Sequence, residues 1–106
     1  MIARIWHGIT PASKADEYVE FLNKTWVKDY QAVEGNLGVY VLRRIEGGQA
    51  HFLTLTFWDS VEAIKRFAGE EYEKARYYPE DKDFLLEFEE KVAHYEVMVS
   101  APKVES

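Results

Sequence analysis

The stretch Leu53-Thr54-Leu55-Thr56-Phe57-Trp58-Asp59-Ser60-Val61-Glu62-Ala63-Ile64-Lys65-Arg66-Phe67-Ala68 passes from a strand pattern to a helical one with no linker between them. Up to Trp58 the side chains alternate with period two and are rich in Thr and aromatics. From Val61 the apolar positions Val61, Ile64, Phe67 and Ala68 recur at helical spacing. The change falls at Asp59, whose carboxylate is expected to accept from the free N–H groups of the first helical turn. Glu62, three residues on, is placed to reach back and complete a capping box.

Working outward, Ile2 to Ile9 reads as a first strand, and Thr10-Pro11 as a helix N-cap with proline at the first helical position. One long helix is predicted next, because Ala15, Tyr18, Val19, Leu22, Trp26, Tyr30 and Val33 keep spacings of three or four with charged residues between them. Gly35-Asn36 breaks it. Leu37 to Ile45 is a second strand, Glu46-Gly47-Gly48 a tight hairpin, and Gln49 to Trp58 the returning strand. Gly69 closes the helix that Asp59 opens. A short helix is expected around Glu70 to Arg76, another from Pro79 through Phe84, Leu85 and Phe88, and a last strand from Val92 to Ser100. Residues 1–100 thus form a single domain, and 101–106 a frayed tail.

The order βαββαβ predicts an α+β, ferredoxin-like fold: one four-stranded antiparallel sheet with helices on one face. The other face is not polar. Leu53, Leu55 and Phe57 occupy one side of the third strand while Phe52, Thr54, Thr56 and Trp58 occupy the other, and the second and last strands repeat this two-sided apolarity. The simplest cover is a second copy of the chain packing sheet to sheet, a homodimer through the open face.

Composition bounds the function classes. In 106 residues, 47% are hydrophobic and 15% aromatic, with a net charge of −6 and a pI near 5.0. An acidic chain without a basic stripe is not expected to bind nucleic acid. With no cysteine there is no disulfide, thiolate metal site or Cys nucleophile, which suits a reducing cytoplasm. No run of about 18 apolar residues predicts a membrane span, and no signal-peptide pattern is present.

The opening strand Ile2-Ala3-Arg4-Ile5-Trp6-His7-Gly8, the junction Leu53 to Ser60 with Ala63 and Phe67, and the closing His94-Tyr95-Glu96-Val97 resemble the dimeric α+β barrel superfamily, within it the antibiotic-biosynthesis-monooxygenase-like family. The segment Tyr72 to Asp81 looks like that of an uncharacterised branch. The resemblance covers nearly the whole chain and implies a cofactor-independent monooxygenase, an oxidoreductase acting on a small aromatic or quinol in a pocket between helices and sheet. It also brings in a haem-degrading branch, whose first-strand asparagine, helical tryptophan and iron-ligating histidine fall here on His7, Phe67 and Tyr77. All three differ. A third reading is a non-catalytic dimeric domain that binds a small hydrophobic ligand.

Candidate site residues follow from this frame. His7 shares strand parity with Ile5 and Ile9 and is either a general base near neutral pKa or a core-lining imidazole. His94 either lines the same cavity or faces a partner subunit, and His51 is expected at an exposed edge. Tyr72, Tyr77, Tyr78 and Arg76 either roof a pocket, stacking on a planar substrate and holding an oxyanion, or pack a short helix. Tyr77 joins His7 as a catalytic candidate; Trp58, Phe67, Tyr72, Arg76, Tyr78 and His94 are expected to bind substrate. Trp58 and Trp6 equally suit the core or an interface. No metal is expected, and haem is the alternative to no cofactor. The acids Glu70, Glu71, Glu73, Glu80, Asp81 and Asp83 are expected on solvated faces.

Overall fold

In the computed structural model, which describes residues 1–103, the chain runs β1 (Ile2–Pro11), α1 (Ala15–Lys24), α2 (Trp26–Gln31), β2 (Asn36–Glu46), β3 (Gln49–Trp58), α3 (Val61–Ala68) and β4 (Ala93–Glu96). Short 3₁₀ turns lie at Ala12–Lys14 and Pro79–Asp83. The four strands form one antiparallel sheet in the order β2-β3-β1-β4, the ferredoxin-like arrangement expected. No helix among the described residues is long and apolar enough to cross a membrane.

Pairing register decides which side chains share a face. Trp6 lies opposite Thr54 and Arg4 opposite Thr56, so Arg4, Trp6, Phe52, Thr54, Thr56 and Trp58 all project towards the helices, where they are buried. The helices return Ala15, Tyr18, Leu22, Trp26, Tyr30, Ala63, Ile64 and Phe67 to the same core. Gly8 sits within that face for a steric reason: a Cβ there would stand 2.2 Å from the Trp6 ring. The indole lies across the strand over the glycine, a position no other residue permits.

Several boundaries differ from expectation. β1 continues through Thr10 and Pro11, which pair with Ala50 and Gln49, so Thr10 is a buried strand residue and not an N-cap. The long helix breaks at Thr25 (φ −121°, ψ −86°), whose hydroxyl donates to the Phe21 carbonyl at 2.7 Å in competition with the helical ladder. The buried face survives the break because Trp26 and Tyr30 continue the spacing from Leu22.

At the junction the cap is Ser60, not Asp59. Ser60 Oγ accepts from the Ala63 N–H at 3.2 Å and donates to Asp59 Oδ1 at 2.8 Å. Ser60 itself is extended (φ −160°, ψ 164°) and the Asp59 N–H is held by the Gly35 carbonyl at 2.9 Å, so helix geometry starts at Val61 and Glu62 makes no capping box. Gly35 (φ +97°) is needed there, since a Cβ would meet Ala63 Cβ at 2.5 Å.

After Gly69 the helix expected around Glu70 to Arg76 is absent, and the one expected from Pro79 through Phe88 is cut to a single 3₁₀ turn ending at Asp83. Residues 70–92 form an Ω-like loop whose ends are tied by Ala75 N–H to Glu90 O (2.8 Å) and Val92 N–H to Glu73 O (2.9 Å), with Pro79–Asp83 its one helical turn. Leu86 N–H donates to Ile9 O at 2.9 Å, so this loop covers the end of β1 that β4 leaves unpaired. β4 stops at Glu96 because its partner β1 starts at Ile2, and Val97 adds one bond to the Met1 carbonyl. Residues 97–103 have no regular structure, and the remainder of the expected tail, 104–106, lies outside the described residues.

Candidate functional site

Between the helix face of the sheet, the helices and the 70–92 loop lies an enclosed cavity lined by Arg4, Trp6, Tyr18, Leu22, Trp26, Tyr30, Thr54, Phe67, Arg76, Tyr77 and Asp81. Its volume is about 10 Å³, room for about one water. Each wall has a local cause. Strand parity aims Arg4, Trp6 and Thr54 inward, helical spacing brings Tyr18, Leu22, Trp26 and Tyr30 to one side, and Phe67 descends from α3.

Charge in this buried site is arranged unevenly. Arg4 is only 2% exposed, and no ion pair among the described residues includes it. Its Nη1 reaches Tyr30 Oη and its Nη2 the Lys74 carbonyl, both at 3.4 Å, while its Nε has no partner. Burial pushes the guanidinium below its usual value, and the nearby Arg76 charge pushes the same way, yet an arginine stays protonated at neutral pH. Arg76 donates to the Phe67 carbonyl, and both guanidinium carbons lie near the Phe67 ring, at 5.3 Å for Arg4 and 5.1 Å for Arg76.

Across the cavity Asp81 is 1% exposed, which corrects its assignment to a solvated face. The carboxylate accepts from Tyr18 Oη (2.9 Å), Trp26 Nε1 (3.2 Å) and the Tyr78 N–H (2.7 Å). Burial raises its pKa above the ordinary carboxylate range, opposed by those three donors. The local signal was Tyr78-Pro79-Glu80-Asp81, proline opening a turn with an acid reaching back to its start. Tyr77 completes the wall: its hydroxyl accepts from Trp6 Nε1 at 3.2 Å and donates to Glu89 O at 2.6 Å. Burial raises its pKa, so it is a neutral donor and not a phenolate.

Of the expected site residues, the cavity brings together Phe67, Arg76 and Tyr77. Trp58 is fully buried behind Phe67 (ring centroids 5.8 Å apart), its indole donating to Thr56 Oγ1 at 2.8 Å. Tyr78 packs edge-on against Trp26 at 4.5 Å and donates to Asp29, outside the cavity. Tyr72 and His94 pack on each other at 5.2 Å near the end of α3 and line a separate surface recess.

His7 is on the opposite side of the sheet. Parity places it with Ala3 and Ile5 on the open face, where it stacks on His51 (5.6 Å), approaches His51 Nδ1 through Nε2 at 3.3 Å and pairs with Glu89 through Nδ1. It therefore cannot act as base in the cavity. His51 is half-buried in the same stack and is not a free edge residue. Sequence reasoning passed over Arg4, Tyr18, Trp26, Tyr30, Thr54 and Asp81 as site residues. For Arg4 the signal was a charged residue in parity with Ile2 and Trp6.

A haem does not fit this donor set. The cavity holds no imidazole, Tyr77 is kept protonated by burial, and His7 faces away. Nor does any group of three or more His, Asp or Glu among the described residues gather as a metal site.

No protein-family model matches the chain, and no curated protein matches it in sequence. Solved structures do. A putative antibiotic biosynthesis monooxygenase from Bacillus cereus superposes with a TM-score of 0.66 at 18% identity, covering 99% of this chain and 98% of that one. The haem-degrader MhuD from Mycobacterium tuberculosis, with two haems bound, gives a TM-score of 0.65 at 20% identity over 96% of this chain and 100% of its own. Rv0793 from the same organism gives 0.51 at 18% identity over 99% and 97%. The chain therefore has the antibiotic-biosynthesis-monooxygenase-like fold that its strands and junction resembled.

Proposed function

We propose that the chain is a cofactor-independent monooxygenase acting on a small phenol or quinol in the helix–sheet cavity. The observation that carries this reading is the pairing, inside one enclosed aromatic-walled site, of a buried carboxylate of raised pKa with cationic and hydroxyl donors. Asp81 takes the phenolic proton, and Arg76, joined by Tyr77 once its hydroxyl turns from the Glu89 carbonyl, stabilises the resulting oxyanion. One electron passes from the phenolate to oxygen, and the radical pair joins at a ring carbon as a peroxide. Asp81 returns its proton to the peroxide, the O–O bond breaks as the same ring carbon gives up its hydrogen, and water leaves, with one oxygen atom kept on a quinone product. The closed cavity holds about one water, so substrate enters as Tyr77 and the 70–92 loop, which few backbone hydrogen bonds fasten to the sheet, swing out, and the loop closes over it in a widened cavity with Arg76, Tyr77 and Asp81 again facing inward.

Oxygen uptake with 1,4-dihydroxynaphthalene, corrected for autoxidation and without added metal or flavin, tests this. Uptake should fall by about a hundredfold or more in Asp81→Asn. Uptake retained in Asp81→Asn but lost in His7→Ala would move the chemistry to the open face. We also infer that a second copy covers that face, where Tyr40, Leu42, Leu53 and Tyr95 are exposed.

A further inference from the structure

Three observations on Arg4 point beyond the oxyanion that the reaction itself creates. A guanidinium buried to this degree costs several kcal/mol to desolvate unless an anion compensates it. Here the neighbouring ionic group is a second cation, Arg76, and both share the Phe67 ring. The hydrogen bonds that Arg4 makes are long and go to neutral oxygens, and one nitrogen is left without any. Charge counting sharpens this. The cavity walls carry two guanidiniums and one carboxylate. When Asp81 takes a proton from a neutral substrate, the negative charge moves onto the ligand but the site keeps one uncompensated positive charge. A ligand that arrives with its own negative group removes the excess.

Resting on the reading above, we propose that the ligand is an aromatic carboxylate: a planar ring system seated against Phe67, Trp6 and Trp26 once the 70–92 loop has opened the one-water cavity, with its carboxylate held by Arg4 through the unpartnered Nε and an Nη released from its long bond. Arg4 suits this better than a lysine would, because a guanidinium meets a carboxylate through two parallel N–H donors and stacks on aromatic rings. A purely structural Arg4 would instead satisfy its nitrogens within the fold.

The test compares 2-naphthoate with its neutral isostere 2-naphthamide as probes, by thermal shift and calorimetric titration on the full chain. The wild type should bind the carboxylate at least about tenfold more tightly than the amide. Arg4→Met should erase that preference while leaving the ligand-free melting temperature unchanged or raised, since replacing an uncompensated buried charge by an apolar side chain of similar length is neutral or stabilising. Arg4→Lys should recover part of the preference. If Arg4→Met does not fold, the wild-type comparison and Arg4→Lys still decide. Equal binding of both probes by the wild type overturns the anion site while leaving a neutral-quinol oxygenase standing. A lowered melting temperature in Arg4→Met with the carboxylate preference intact makes Arg4 structural and also overturns it. Failure of both probes together with absent oxygen uptake overturns the two readings at once.

Discussion

At the scale of single residues, two positions outside the cavity wall have effects that composition does not advertise. Gly8 is one. Its missing Cβ lets the Trp6 indole lie across β1 and reach Tyr77, so Gly8→Ala should cost about 1–3 kcal/mol of stability by overpacking and shift Trp fluorescence, as read by denaturant unfolding. His94 is the other. Burial, and then the Arg4 charge opposite it, lowers its pKa from 6.5. Above pH 6.5 it is neutral in both states and contributes nothing; below, the unfolded chain takes up the proton first, so stability falls with falling pH until the folded pKa is reached. His94→Phe should flatten the melting temperature over that window relative to the wild type, and an unchanged slope would assign the acid sensitivity elsewhere. Arg4 was legible in part: a charged residue between Ile2 and Trp6 in strand parity is a buried charge, but which face parity selects for His7 depends on where the helices pack, and that is a tertiary fact.

At the scale of elements, periodicity read β1, β2 and β3 to within a residue or two because alternation persists wherever a sheet has two distinct faces, but it carried the last strand to Ser100, four residues past the end of β4. It misplaced the ends. The Ser60 cap, the Thr25 break and the loop over residues 70–92 are set by side-chain to backbone bonds and by tertiary hydrogen bonds that leave no period in the chain. The cap assignment can be checked directly. Ser60→Ala should destabilise the protein by about 1 kcal/mol, and Asp59→Ala by clearly less, since Asp59 only receives the Ser60 hydroxyl. Equal losses in thermal melts would restore Asp59 as the cap. The spacing of Phe84, Leu85 and Phe88 predicts a helix running on from Pro79, but the helical turn ends at Asp83, and Leu85 is buried from a loop closed at its ends.

At the scale of the molecule, the sheet divides the chain into a helix side with an enclosed polar-lined cavity and an open side of exposed apolar residues around the His7–His51 stack. The open side predicts association. Light scattering at micromolar concentration should give a dimer mass, and Leu53→Lys, which places a charge at the centre of β3's open face, should give the monomer; a monomeric wild type would contradict it. The fold was readable because it follows from element order, whereas the site was not, because it is assembled from residues far apart in sequence whose meeting depends on register and on the returning loop. The central claim is that ligand chemistry belongs to the helix side. Titrating 2-naphthoate into labelled protein and following the indole N–H signals of Trp6 and Trp26 beside the imidazole signals of His7 and His51 tests it most directly. The indole signals should move and saturate while the His7 and His51 signals stay in place; shifts confined to His7 and His51 would contradict the account.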